Sequence, residues 1–103
     1  MEKRFSEMTE IEIKAEIASL RAKAQKAEQM GMVSEYAVYE RKIAMGKSYL
    51  IDPASIESGK EYGIQGDPES TFSVLYLNGI FAWGYKNKQS TLEALPISVL
   101  EQP

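Results

Sequence analysis

The chain has 103 residues, 44% hydrophobic and 26% charged, with a formal net charge of −3 and neither cysteine nor histidine. These proportions fit one globular domain, 1–103, and argue against disordered, fibrous and membrane classes, since no apolar run approaches the roughly 20 residues of a membrane span. Without thiols and imidazoles there are no disulfides, no usual zinc ligands and no Ser-His or Cys-His nucleophile pair, so no catalytic, cofactor-binding or metal-ligating residue is expected.

The opening Met1-Glu2-Lys3-Arg4-Phe5-Ser6 has charges with no apolar run behind them, so no secretory signal is expected and the cytoplasm is the default location. Met8-Thr9-Glu10-Ile11-Glu12-Ile13 then reads as a helix start at Glu10. Thr9 is the N-cap, Glu12 completes a capping box, and Met8 with Ile13 forms a hydrophobic staple. Ile13, Ile17, Leu20, Ala24 and Ala27 recur at helical spacing, and Gly31 is the natural stop. Ala15, Ala18 and Ala22 lie nearly opposite; they read as plain helix formers, with a subunit contact as the alternative.

A second helix is predicted from an N-cap at Ser34, antiparallel to the first. Its apolar residues form two stripes, Tyr36, Tyr39, Ile43, Gly46 and Leu50 beside Val38, Met45 and Tyr49. That arc is wider than one helix partner needs, which predicts a middle layer touching both the first helix and a sheet. Pro53 ends this helical half, 1–52.

The rest, 53–103, is strand-like. Residues 61–65 form a short strand with Tyr62 and Ile64 on one face, and Gly66-Asp67-Pro68 reads as a turn. The run 72–85 reads as a hairpin around a type I′ turn at Asn78-Gly79. That turn sets Leu77 opposite Ile80, Tyr76 opposite Phe81, Leu75 opposite Ala82, Val74 opposite Trp83 and Phe72 opposite Tyr85. One face then carries Phe72, Val74, Tyr76, Phe81, Trp83 and Tyr85, the other Leu75, Leu77, Ile80 and Ala82. Both faces need a cover. Asn87-Lys88-Gln89-Ser90 is a polar loop, and residues 92–100 give a last strand or a helical turn plus strand, with Pro96 at an edge or bend.

Taken alone, these patterns give an α+β order of helices followed by strands. The segments Tyr76-Leu77-Asn78-Gly79-Ile80-Phe81-Ala82-Trp83-Gly84-Tyr85 and Glu93-Ala94-Leu95-Pro96-Ile97-Ser98-Val99-Leu100 resemble the YfhH-like family of small uncharacterised proteins from Bacillus-type bacteria. The opening residues 1–9 and Glu40-Arg41-Lys42 are similar to it as well. The resemblance implies an N-terminal antiparallel helical hairpin followed by a small C-terminal SH3-like β-barrel, and implies no activity.

Candidate chemistries are few. The carboxylate pairs Asp67/Glu69 and Glu10/Glu12 sit in turn and helix-start contexts that already explain them, and no phosphate-cradling glycine motif occurs. Residues 1–50 hold nine Lys/Arg against eight Asp/Glu, residues 51–103 three against seven, so the halves carry +1 and −4. The acidic strand half argues against binding a polyanion.

The aromatic face of the hairpin is the one constellation with two competing uses. The second helix has the spare arc to cover it, which is the favoured reading; an open partner site or subunit interface is the alternative, through Tyr76, Phe81, Trp83 and Tyr85. The expectation is the helical hairpin packed on the barrel, acting as a non-enzymatic cytoplasmic binding or regulatory module. Its partner would be a protein or peptide, with a homo-oligomer left open and neither membrane nor cofactor involved. A nucleic-acid-associated protein using the basic helices is the alternative, and an enzyme working through carboxylates alone the remote one.

Overall fold

Helix α1, Glu10–Gln29, begins where its capping box closes: the Glu12 amide donates to Thr9 Oγ1 at 3.2 Å, and the Thr9 amide donates to Glu12 Oε1 at 3.1 Å. The computed structural model describes residues 3–102; Met1 and Glu2, which open the segment compared above, and Pro103 lie outside the described residues. The fold divides into two compact units, one up to Leu50 and the other from Ile51.

In the helical unit Ile13, Ile17, Leu20, Ala24 and Ala27 are all buried, as their spacing predicts. With Ile43 of α2, Val33–Ser48, four of them form a core edged by Phe5, Met8, Tyr36 and Tyr39. Each large aliphatic side chain so buried contributes about 1.5–3 kcal/mol. α1 stops at Gly31, φ +70°, in a Schellman arrangement: the Met32 amide donates to the Ala27 carbonyl at 2.8 Å and the Gly31 amide to that of Glu28 at 3.1 Å.

One expectation for α2 needs correction. Its N-cap is Met32, with no side-chain cap, and Ser34 lies inside the helix. The Schellman turn leaves so little chain that α2 starts at once, the Tyr36 amide donating to the Met32 carbonyl at 3.0 Å. In the second stripe Val38 is 51% and Tyr49 40% exposed. The ring partner of Tyr49 is Phe5, 6.1 Å away in a 3-10 turn at Phe5–Glu7 that precedes α1.

The second unit is a five-stranded, wholly antiparallel sheet in the order β4-β3-β2-β1-β5, curled as a half-barrel. The strands are β1 Glu61–Ile64, β2 Asp67–Asn78, β3 Phe81–Lys86, β4 Glu93–Pro96 and β5 Leu100–Glu101. The turn between β1 and β2 is Gln65-Gly66, so Asp67 and Pro68, expected in the turn, already belong to β2. Gly63 pairs with Thr71 and Ile64 with Asp67, leaving residues 68–70 bulged out, where the missing N–H of Pro68 costs nothing. Pro96 sits in an edge strand, as expected, and a 3-10 turn at Ile97–Val99 joins β4 to β5.

The hairpin forms, with its turn one residue later than expected. Gly79 alone has positive φ, +60°; Asn78 is extended and pairs with Phe81, so the central residues are Gly79 and Ile80, the type II′ pattern. Leu77 therefore faces Ala82 and Tyr76 faces Trp83. A β-bulge follows, in which Leu75 is the extra residue, and below it Val74 faces Gly84 and Phe72 faces Lys86.

One extra residue reverses which side of the sheet the preceding side chains occupy. Phe72 and Val74, expected on the aromatic face, are instead 0% and 2% exposed in the core with Tyr62, Ala82, Ile56 and Ile97. Leu75, expected inside, is 52% exposed. Beside the bulge β2 and β3 approach so closely that a β-carbon at Gly84 would overlap the Ser73 carbonyl oxygen.

Candidate binding surface

The outer face of the sheet can be built from its cross-strand rows, since directly opposed residues share a face. Tyr76, Trp83 and Ala94 form one row and Asn78, Phe81 and Pro96 the next towards the hairpin tip. On the other side of the Tyr76 row lies Tyr85 with Ser73 and Glu61, then Thr71 with Gly63 and Glu101. All four aromatic residues singled out from the sequence thus share this face.

Tyr76 and Trp83 are brought into direct contact, their rings stacked 6.2 Å apart with planes 9° from parallel. Such a pair contributes about 0.5–1.5 kcal/mol beyond its burial and holds both rings in one orientation. Phe81, Trp83 and Tyr85 are half-buried, while Tyr76 remains 42% exposed, so the aromatic face is not sealed there. Leu75, pushed outward by the bulge, extends the apolar surface beside Tyr76. Sequence reasoning missed Leu75, because nothing in Ser73-Val74-Leu75-Tyr76 marks which residue will be the extra one.

At the opposite end of the hairpin the loop after β3 is pinned to β2. Asn87 and Lys88 are left-handed, φ +52° and +61°. The Asn87 amide donates to the Thr71 carbonyl at 2.8 Å, its side-chain oxygen accepts from the Thr71 amide at 2.9 Å, and its Nδ2 donates to Ser70 Oγ at 3.1 Å. Beside them Asp67 meets Lys86 at 3.5 Å. A hydrogen bond from Ser70 and then the charge of Lys86 hold the Asp67 carboxyl below its usual value.

The other shifted carboxylate, Glu12, is lowered by its 2.8 Å bond to Lys3 and by the Thr9 amide. Both shifts favour the ionised form, the opposite of what a general acid at neutral pH requires. Tyr36 is raised, chiefly by the charge of Glu40, and so stays protonated. Among the described residues no cluster of three acidic side chains has the geometry to hold a metal ion, and no helix is long and apolar enough to cross a membrane.

Two packed helices followed by a curled antiparallel sheet with an aromatic outer surface, its shifted carboxylates held in the ionised form, define a small two-part α+β protein. The chain belongs to the family described as "Protein of unknown function (DUF1811)", whose model matches residues 3–101. It is 50% identical over 103 residues to "Uncharacterized protein YfhH" of Bacillus subtilis (strain 168), covering 99% of this chain and 98% of that protein. The YfhH-like resemblance read from the sequence is thereby established.

Proposed function

We propose that the chain is a non-enzymatic cytoplasmic binding module whose sheet unit is an SH3-like barrel, and that its outer face takes an extended peptide bearing basic residues. The observation that carries this reading is the stacked Tyr76–Trp83 pair with Leu75 beside it, a rigid apolar surface outside the core. Aromatic-lined sheet surfaces hold extended peptides in other small domains, and tyrosine and tryptophan dominate the energetics of such contacts. The strand order, with β5 entered through a 3-10 turn and paired to β1, supports the barrel. Glu61 and Glu101 lie on the same face as the aromatics, and residues 51–103 carry −4, so the complementary ligand is cationic.

The test is selection of displayed dodecapeptides on the full chain. Enrichment of Lys/Arg beside proline or aromatic residues is expected, with affinity falling at least tenfold in Tyr76→Ala while that variant melts within a few degrees of the parent. No enrichment, or binding indifferent to Tyr76→Ala, would remove the proposal.

A further inference from the structure

The methionines gather on the surface of the helical unit, and Met8 alone of them also packs against its core. Met8 and Met45 line one hollow on the helical unit, of about 980 Å³, and Met30 and Met32 line a second, of about 380 Å³. Every methionine among the described residues is thus on one of these two surfaces. The hollows share Lys23 and Tyr39 in their linings and so are neighbours along the helical pair, from the Phe5 and Tyr49 rings to the turn between the helices. Beside them α1, of 20 residues, is about 30 Å long, so the trough has the length of several helical turns.

Cations outnumber acids in its lining. Arg4, Lys23 and Lys42 line the larger hollow and Lys26 the smaller, and none of the four has a carboxylate partner among the described residues. Lys3 is already neutralised by Glu12 at 2.8 Å, which leaves Glu16 and Glu35 as the acids of the lining outside an ion pair. The floor is apolar and adaptable: thioether side chains, Leu20 and the Phe5 ring, whose seat exists because residue 46 is glycine, a β-carbon there falling 2.9 Å from that ring.

From these features we infer that the trough between α1 and α2 is a docking site for an acidic amphipathic helix of a partner protein. The walls are helices and offer no free strand edge, so an extended segment would gain no backbone hydrogen bonds. An open trough also leaves a small ligand mostly in water, whereas small-molecule sites enclose most of theirs. A helix laying Leu or Phe at i, i+3, i+4 and i+7 on the methionines satisfies the floor, and Glu or Asp on its flanks meets Arg4, Lys23, Lys26 and Lys42. The trough's lining comes wholly from residues of the helical unit, so the inference does not rest on the proposed function.

The experiment uses the full chain and a displayed pool of 16-residue helix-forming peptides with that apolar spacing and flanks randomised among Glu, Lys, Gln and Ser. Glu-flanked peptides are expected to enrich. Their binding should weaken at least tenfold in a Lys23→Glu/Lys42→Glu variant and severalfold in Lys23→Gln/Lys42→Gln, with circular dichroism unchanged, and stay as it was in Tyr76→Ala. Three results each overturn the inference: absence of enrichment, enrichment of Lys-flanked peptides, and affinity unchanged by the Lys23→Glu/Lys42→Glu pair. Displacement of the peptide by self-association of the chain, seen in sedimentation, would likewise assign the trough to a second copy and overturn it.

Discussion

Asn87 shows how much a single side chain can fix. It adopts a left-handed conformation that costs most residues 1–2 kcal/mol, and offsets this by both accepting from Thr71 and donating to Ser70. Asn87→Ala should lose both the bonds and the conformational tolerance, lowering stability by about 1–2 kcal/mol in urea titration; Asn87→Gly, which loses only the bonds, should cost about half as much. Equal losses would mean that the backbone conformation carries no cost here.

Asp67 gives the acid dependence at the same corner. Its folded-state value lies below the unfolded one, because Ser70 and Lys86 favour the carboxylate. Its contribution is therefore present above the ordinary carboxylate range and is lost as pH falls through the lowered value. Asp67→Asn should lower the melting temperature slightly at neutral pH and flatten the profile below about pH 4, so that the difference from the parent disappears in acid. An unaltered acid limb would show that the Ser70 and Lys86 contacts do not persist in solution.

At the scale of elements, the hairpin separates what the sequence could show from what it could not. Asn78-Gly79 announces a tight turn, but it fits both a turn centred on those two residues and one centred on Gly79 and Ile80. The structure takes the second, and the Ile80 carbonyl accepts from the Ile97 amide at 2.9 Å, a contact from a strand end seventeen residues later that no local pattern contains. Moving the centre by one residue slides the opposed pairs by two, which leaves the faces intact. Tyr76, Phe81, Trp83 and Tyr85 therefore stayed together as expected. The bulge at Leu75 shifts the register by one, and that is why Phe72 and Val74 changed sides.

Helix α1 was legible down to its capping atoms because its signals are local: the Thr9 and Glu12 pair, a strict apolar stripe and Gly31. The contact of Tyr49 with Phe5 was not legible because Phe5 lies in a segment that helical periodicity does not describe. The bulge itself can be tested. Deleting Leu75 removes the extra residue and keeps Val74 opposite Gly84 and Phe72 opposite Lys86, so it should cost no more than about 2 kcal/mol, whereas deleting Ser73 turns Phe72 out of the core and should cost about 3 kcal/mol or more. Similar effects from the two changes would contradict the assigned register.

On the scale of the whole molecule, two compact units each bury a core of their own and each leave one surface with unspent binding chemistry. The sheet unit presents stacked aromatics on an acidic half-chain, and the helical unit presents methionines rimmed by cations. The trough shares Leu20, Phe5, Met8 and Tyr39 with the helical core, and the two surfaces differ in the charge around them.

Trp83 is the chain's one tryptophan, so its emission reports the aromatic face alone. The most direct measurement is titration of the full chain with a Lys/Arg-containing extended peptide from the selection, followed by Trp83 fluorescence. The account predicts a saturable blue shift that disappears in Tyr76→Ala and persists in Lys23→Glu/Lys42→Glu. Binding that leaves the emission unchanged, or a shift that survives Tyr76→Ala, would contradict it.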